Sequence, residues 1–107
     1  MLVNSFIVVL VTTSSKQEAE TIAQSLLESK LIACANVVGP VESHFHWKGK
    51  IEHTEEFLLL MKSRSDFFGE LVENVKRMHS YEVPEVVALP IVEGLKSYLG
   101  WLESSLK

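Results

Sequence analysis

Residues 41–62, "VESHFHWKGKIEHTEEFLLLMK", decide the fold. Two strand-forming runs flank Lys48-Gly49-Lys50, the pattern of a long antiparallel hairpin. The first run reaches back through Gly39-Pro40 to "LIACANVV" at 31–38. A Gly-Pro pair inside a strand marks a bend or bulge at a sheet edge.

The hairpin register can be read in two ways. A two-residue Lys48-Gly49 loop pairs residues whose numbers sum to 97, setting His44 opposite His53 and Glu42 opposite Glu55 as a plausible metal patch. A three-residue loop, Trp47-Lys48-Gly49 with Gly49 left-handed, shifts the sum to 96 and sends His53 to the other face. The second register places Val41, Phe45 and Trp47 with Ile51, Phe57, Leu59 and Met61, segregating apolar from polar side chains better. Lysine also fits poorly in the left-handed geometry of the first loop. The 96 register is therefore the expectation, with the histidine pair solvated or at an interface.

Outward from the hairpin, Phe6–Val11 is a continuous apolar, β-branched run suited to a covered strand. "TTSS" follows as a helix cap. Ala19, Ile22, Ala23, Leu26 and Leu27 then fall on one helical stripe. After Ser63, Phe68, Leu71, Val72, Val75 and Met78 form a second stripe, with acids near its start and Lys76 and Arg77 near its end. "VVALPIV" at 86–92 is a further strand that Pro90 puts on an edge or ends early. A short last helix carries Leu95, Tyr98, Leu99, Leu102 and Leu106. The order is βαββαβ plus a helix, an α+β ferredoxin-like sandwich forming a single domain over 1–107. Its helices cover one sheet face. The apolar face left over predicts a homo-oligomer.

Composition narrows the function classes. The chain has 107 residues, 47% of them hydrophobic, and a net charge of −4. Without a basic stripe, no nucleic-acid partner is expected. The N-terminal apolar run is short and lacks a positive flank, so neither an export signal nor membrane insertion is expected. The single cysteine, Cys34, excludes an internal disulfide and suits a reducing cytoplasm. It sits in an apolar run with nothing adjacent to activate it, so catalysis through it is not expected. There is no Gly-rich phosphate loop and no Ser/His/Asp pattern.

The densest polar stretch is "HSYEVPE", His79–Glu85. Pro84 can neither continue a helix nor donate into a central ladder, so the stretch is first a helix exit that leads into a strand. Glu82 and Glu85 read as metal oxygens, as partners of Lys62, or as surface charges.

"LIACANVV", "HWKGKIEHTEEFLLLMKS", "HSYEVPEVVALPI" and the closing "YLGWL", in this order, resemble the CutA family of divalent-cation tolerance proteins over nearly the whole chain. The resemblance implies a stable cytoplasmic homotrimer built like the PII signalling proteins. It implies a role in tolerance of copper or other divalent cations, no enzymatic reaction and no organic cofactor. The matching positions include Cys34, Trp47, Glu56, Lys62, His79, Tyr81, Glu82 and Glu85. In some bacterial members a cysteine ending the first strand and histidines at the joint are thought to hold copper. Here Val11 ends the run, Met78 precedes His79, and Ser80 stands where the family usually has proline. His79 and Cys34 are then the metal candidates. Lys62, Tyr81, Glu82, Glu85, Glu56 and Trp47 are candidates for a ligand or interface cleft, the alternative being a PII-like small-ligand module.

Overall fold

The computed structural model describes residues 5–107; residues 1–4, where the stretch weighed as an export signal begins, lie outside the described residues. The chain runs β1 (Phe6–Thr13), α1 (Lys16–Glu28), β2 (Cys34–Trp47), β3 (Lys50–Arg64), a 3-10 turn (Ser65–Phe67), α2 (Phe68–Met78), β4 (Val86–Pro90) and α3 (Lys96–Ser104). The four strands make one antiparallel sheet in the order β2-β3-β1-β4. This is the ferredoxin-like α+β arrangement expected from the element order.

Helix α1 forms where its apolar stripe and its caps agree. Ser15 is the N-cap, its hydroxyl accepting from the Glu18 amide at 3.1 Å. Ala19, Ile22, Ala23 and Leu26 turn inward. Ile22 and Leu26 are fully buried, worth about 1.5–3 kcal/mol each. The helix stops at Lys30, whose φ of 59° is left-handed. The Lys30 amide bonds the Leu27 carbonyl and the Leu31 amide bonds the Leu26 carbonyl, each at 3.0 Å, a Schellman closure that turns Leu31 into the core.

The core lies between the helices and one sheet face. Ile7, Val9 and Val11 of β1 pair with Ser63, Met61 and Leu59 of β3 and meet Ile22, Leu26, Leu71 and Val75. A second cluster, Ala33, Leu102 and Leu106 with Phe6 and Ile91, seats α3 at the Phe6 end of the sheet. Strand β4 is an edge and ends at Pro90, as the proline predicts. The opposite sheet face carries Val8, Leu10, Leu58 and Leu60. It also carries Val38, Val87 and Leu89, which are 42%, 45% and 52% exposed.

The hairpin corrects the preferred register. The outer half pairs with a sum of 97, from Trp47↔Lys50 through His44↔His53 to Val41↔Glu56. Lys48 and Gly49 take φ of 51° and 77°, so lysine does occupy the left-handed position of a two-residue loop. The inner half, Cys34↔Lys62 to Val38↔Leu58, sums to 96. Gly39 and Pro40 together oppose Phe57 as a bulge, which absorbs the difference. A Cβ on Gly39 would come within 2.5 Å of the Phe57 ring, so this close approach needs glycine. The segregation argument treated β2 as one uninterrupted alternation. Past the bulge, Val41, Phe45 and Trp47 instead join the open face, and Glu42, His44 and His46 share the other face with His53 and Glu55.

Candidate functional site

The polar residues fall into three separate places. The first is the joint after α2. His79 caps α2, its amide bonding the Val75 carbonyl at 2.9 Å, and its extended backbone (ψ 141°) turns the chain toward β4. Its side chain is fully buried. Nε2 lies 2.8 Å from the Thr12 carbonyl oxygen, which can only accept, so Nε2 carries the proton. Nδ1 accepts from the Tyr81 amide at 3.0 Å. These bonds fix a neutral tautomer. The Glu18 carboxylate, 3.8 Å from Nδ1, therefore makes no ion pair with the ring.

Glu18 braces the same joint from α1. Oε2 accepts from the Ser80 amide at 2.6 Å, and Oε1 accepts from the Ser14 amide at 3.0 Å. Partial burial alone would raise its pKa. The hydrogen bonds from Ser80 and Ser14 outweigh that and hold the carboxyl below its ordinary value.

Tyr81 closes the joint against β3. Strand β1 ends opposite Phe57 while β3 runs on, and past that end the Tyr81 hydroxyl donates to Glu56 Oε2 at 2.6 Å. Glu56 is one of three buried polar residues among the described residues. Burial first, then the Glu56 carboxylate, pushes the Tyr81 phenol far above its ordinary range. Glu82 and Glu85 are exposed, and neither forms an ion pair among the described residues.

The second place is the open sheet face below α3. Lys62 Nζ lies 3.8 Å from Cys34 Sγ and 3.4 Å from Asn36 Oδ1, and Cys34 Sγ lies 3.6 Å from the Tyr98 hydroxyl. Lys62 therefore stands with Cys34, not with Glu82 or Glu85. Cys34 and His79 are not brought together. Lys62 pairs with Val8 and His79 bonds Thr12, four residues along β1, or about 13 Å of strand.

The third place is the hairpin. Trp47 stands half-exposed at its tip, with Lys48 Nζ 5.9 Å from its ring centre. Six residues of β3 separate its partner Lys50 from Glu56, about 20 Å, so Trp47 and Tyr81 share no site within one chain. Among the described residues, no three His, Cys, Asp or Glu side chains converge so as to hold a metal ion.

Sequence reasoning missed Glu18, Asn36 and Tyr98. Ser15-x-x-Glu18 carries the spacing of a capping box, which could have marked Glu18. Nothing local marks Tyr98, because its partner lies 64 residues away.

Fold and polar groups define a class: a small ferredoxin-like α+β protein whose buried polar residues brace a helix-to-strand joint and whose apolar sheet face lies uncovered in the single chain. The family model described as "CutA1 divalent ion tolerance protein" matches residues 7–105. The divalent-cation tolerance protein CutA of Archaeoglobus fulgidus is 46% identical over 97 residues, covering 91% of this chain and 94% of the relative. The CutA protein of Thermus thermophilus is 46% identical over 98 residues, covering 92% and 95%. Its solved structure superposes with a TM-score of 0.93 at 44% identity, covering 95% of this chain and 99% of the other. CutA1 from Oryza sativa superposes at 0.94 with 42% identity, covering 98% and 96%. The chain belongs to the CutA1 divalent ion tolerance family.

Proposed function

We propose that the protein serves divalent-cation tolerance in the cytoplasm as a PII-like homotrimer that binds a late divalent metal, such as copper, directly and weakly, without catalysing a reaction. Membership of a family described by divalent ion tolerance carries the reading. The open face with Val38, Val87 and Leu89 supports assembly, because an apolar sheet surface of this kind favours a covering partner. The chemistry of the two metal candidates favours weak binding. A metal at His79 would displace the Thr12 carbonyl or the Tyr81 amide, and one at Cys34 would compete with Lys62 for the sulfur.

Calorimetric titration of the chelator-treated protein with Cu²⁺ and Zn²⁺ tests this reading. Saturable binding with no response to Mg²⁺ is expected; no saturable heat would refute direct binding. One observation favours a second reading. The Lys62 ammonium on the open face makes no ion pair among the described residues; its partners there are the Cys34 sulfur and the Asn36 side-chain oxygen. Between subunits it would offer a small anion a cationic contact, with Tyr81, Glu82 and Glu85 at the neighbouring rim. A melting shift with anionic metabolites, larger than any shift with metals, would favour that module.

A further inference from the structure

Three histidines lie outside the braced joint, on the hairpin. The observed register sets His44 directly opposite His53, their rings stacked with centroids 5.5 Å apart and planes 27° apart. His44 Nε2 lies 3.2 Å from Glu42 Oε1, two residues back on the same face. Glu42 in turn faces Glu55 across the strands. The His44 and Glu42 side chains are 61% and 69% exposed, so this arrangement serves no core packing.

We propose that this hairpin face is a binding site for a late divalent cation, with His44 and His53 as ligands and Glu42 as the residue that positions His44. Resting on the direct-binding reading above, the assignment says where the cation sits.

The register supplies the chelate. Cross-strand neighbours carry Cβ atoms about 5 Å apart, which lets two imidazoles share one ion. Shared ligation needs their nitrogens about 3 Å apart, given metal–nitrogen bonds of about 2.1 Å. Exposed rings reach that separation by side-chain rotation, without backbone movement. Glu42 supplies the orienting bond. An imidazole that gives one N–H to a carboxylate presents its other nitrogen as a lone pair of raised basicity. In His44 that nitrogen is Nδ1, which has no partner among the described residues, whereas both nitrogens of His79 are taken.

Glu55, opposite Glu42 and two residues from His53 on the same face, adds a further oxygen donor, and the two carboxylates make the face favourable for a cation. Imidazole with carboxylate and water suits Cu²⁺, Ni²⁺ or Zn²⁺ and does not suit Mg²⁺ or Ca²⁺. The 96 register would have sent His53 to the opposite face. The turn at Lys48-Gly49 is therefore what assembles the pair.

The test titrates the full, chelator-treated chain with Cu²⁺ or Zn²⁺ alone by calorimetry. It compares wild type with His44→Ala, His53→Ala, Glu42→Gln, His79→Ala and Cys34→Ser. The first two are expected to weaken binding at least about tenfold, and Glu42→Gln by less, with unchanged thermal melts because the sites are exposed. His79→Ala and Cys34→Ser are expected to keep wild-type affinity. Wild-type affinity in the His44→Ala/His53→Ala double variant, with binding lost in Cys34→Ser or His79→Ala, overturns this site while leaving direct metal binding standing. No saturable binding by wild type overturns both.

Discussion

His79 shows how one side chain can be composed like a site and used as a brace. Its ring ties the end of α2 to the β1 carbonyl at Thr12 and to the Tyr81 amide. His79→Ala leaves both groups short of a partner and is expected to cost about 1–3 kcal/mol, read from the denaturant midpoint. Tyr81→Phe removes the hydroxyl from a buried Glu56 carboxylate. A loss of about 1.5–3 kcal/mol is expected, the range for a hydrogen bond to a charged group. Glu18 gives the joint a pH dependence. Its folded pKa lies below the ordinary value of 4.5, so its stabilisation is complete above that value and is lost as pH falls through the folded one. Glu18→Gln should flatten the acid limb of the stability profile. Tyr81 acts at the other extreme. Its phenol is raised, so its contribution is complete below the ordinary value of 10.0 and declines as pH rises beyond it. The residues of the joint were legible as a polar cluster. Glu56 was named beside Tyr81 only through the family resemblance, and Thr12 and Glu18 were not legible as partners, because all three reach the joint from other elements.

At the scale of elements, the stripes in α1 and α2 and the apolar run of β1 were legible because burial periodicity is written locally. Strand ends were less so. β1 continues to Thr13, two residues past its apolar run, because Thr13 is buried and its hydroxyl bonds the Ser15 carbonyl at 2.8 Å. The hairpin register was misread because two local signals had to be combined. Gly39-Pro40 was recognised as a bend or bulge, yet its one-residue shift was not carried through to the tip. The turn itself retains strain that lysine tolerates at some cost. Lys48→Asn is expected to stabilise by about 0.5–1 kcal/mol, since asparagine enters the left-handed region more readily. Gly39→Ala is expected to destabilise by about 1–3 kcal/mol through its clash with Phe57, and Gly39→Ala/Phe57→Ala should recover part of that loss in a thermal melt.

For the whole molecule, ordered motifs carried the family, and the uncovered sheet face carried the expectation of assembly. Leu89 lies on that face and pairs with Val8. Leu89→Asp is expected to reduce the mass of the proposed trimer to that of a monomer by light scattering while leaving the helical circular dichroism of the subunit in place, because the side chain lies outside both core clusters. No described helix is long and apolar enough to cross a membrane.

The bulge at Gly39-Pro40 reaches beyond local geometry. A strand writes its two faces in alternating letters, and one extra letter exchanges odd for even. Upstream of the bulge, the even positions Cys34, Asn36 and Val38 belong to the open face; downstream, the odd positions Val41, Phe45 and Trp47 do. One strand thus holds two messages in opposite phase, and the inserted residue reconciles them. Losing Gly39 or Pro40 would leave both messages aligned on an unbroken ladder. Losing Ser43 would set them against each other, turning the imidazoles toward the apolar face and the tryptophan away from it.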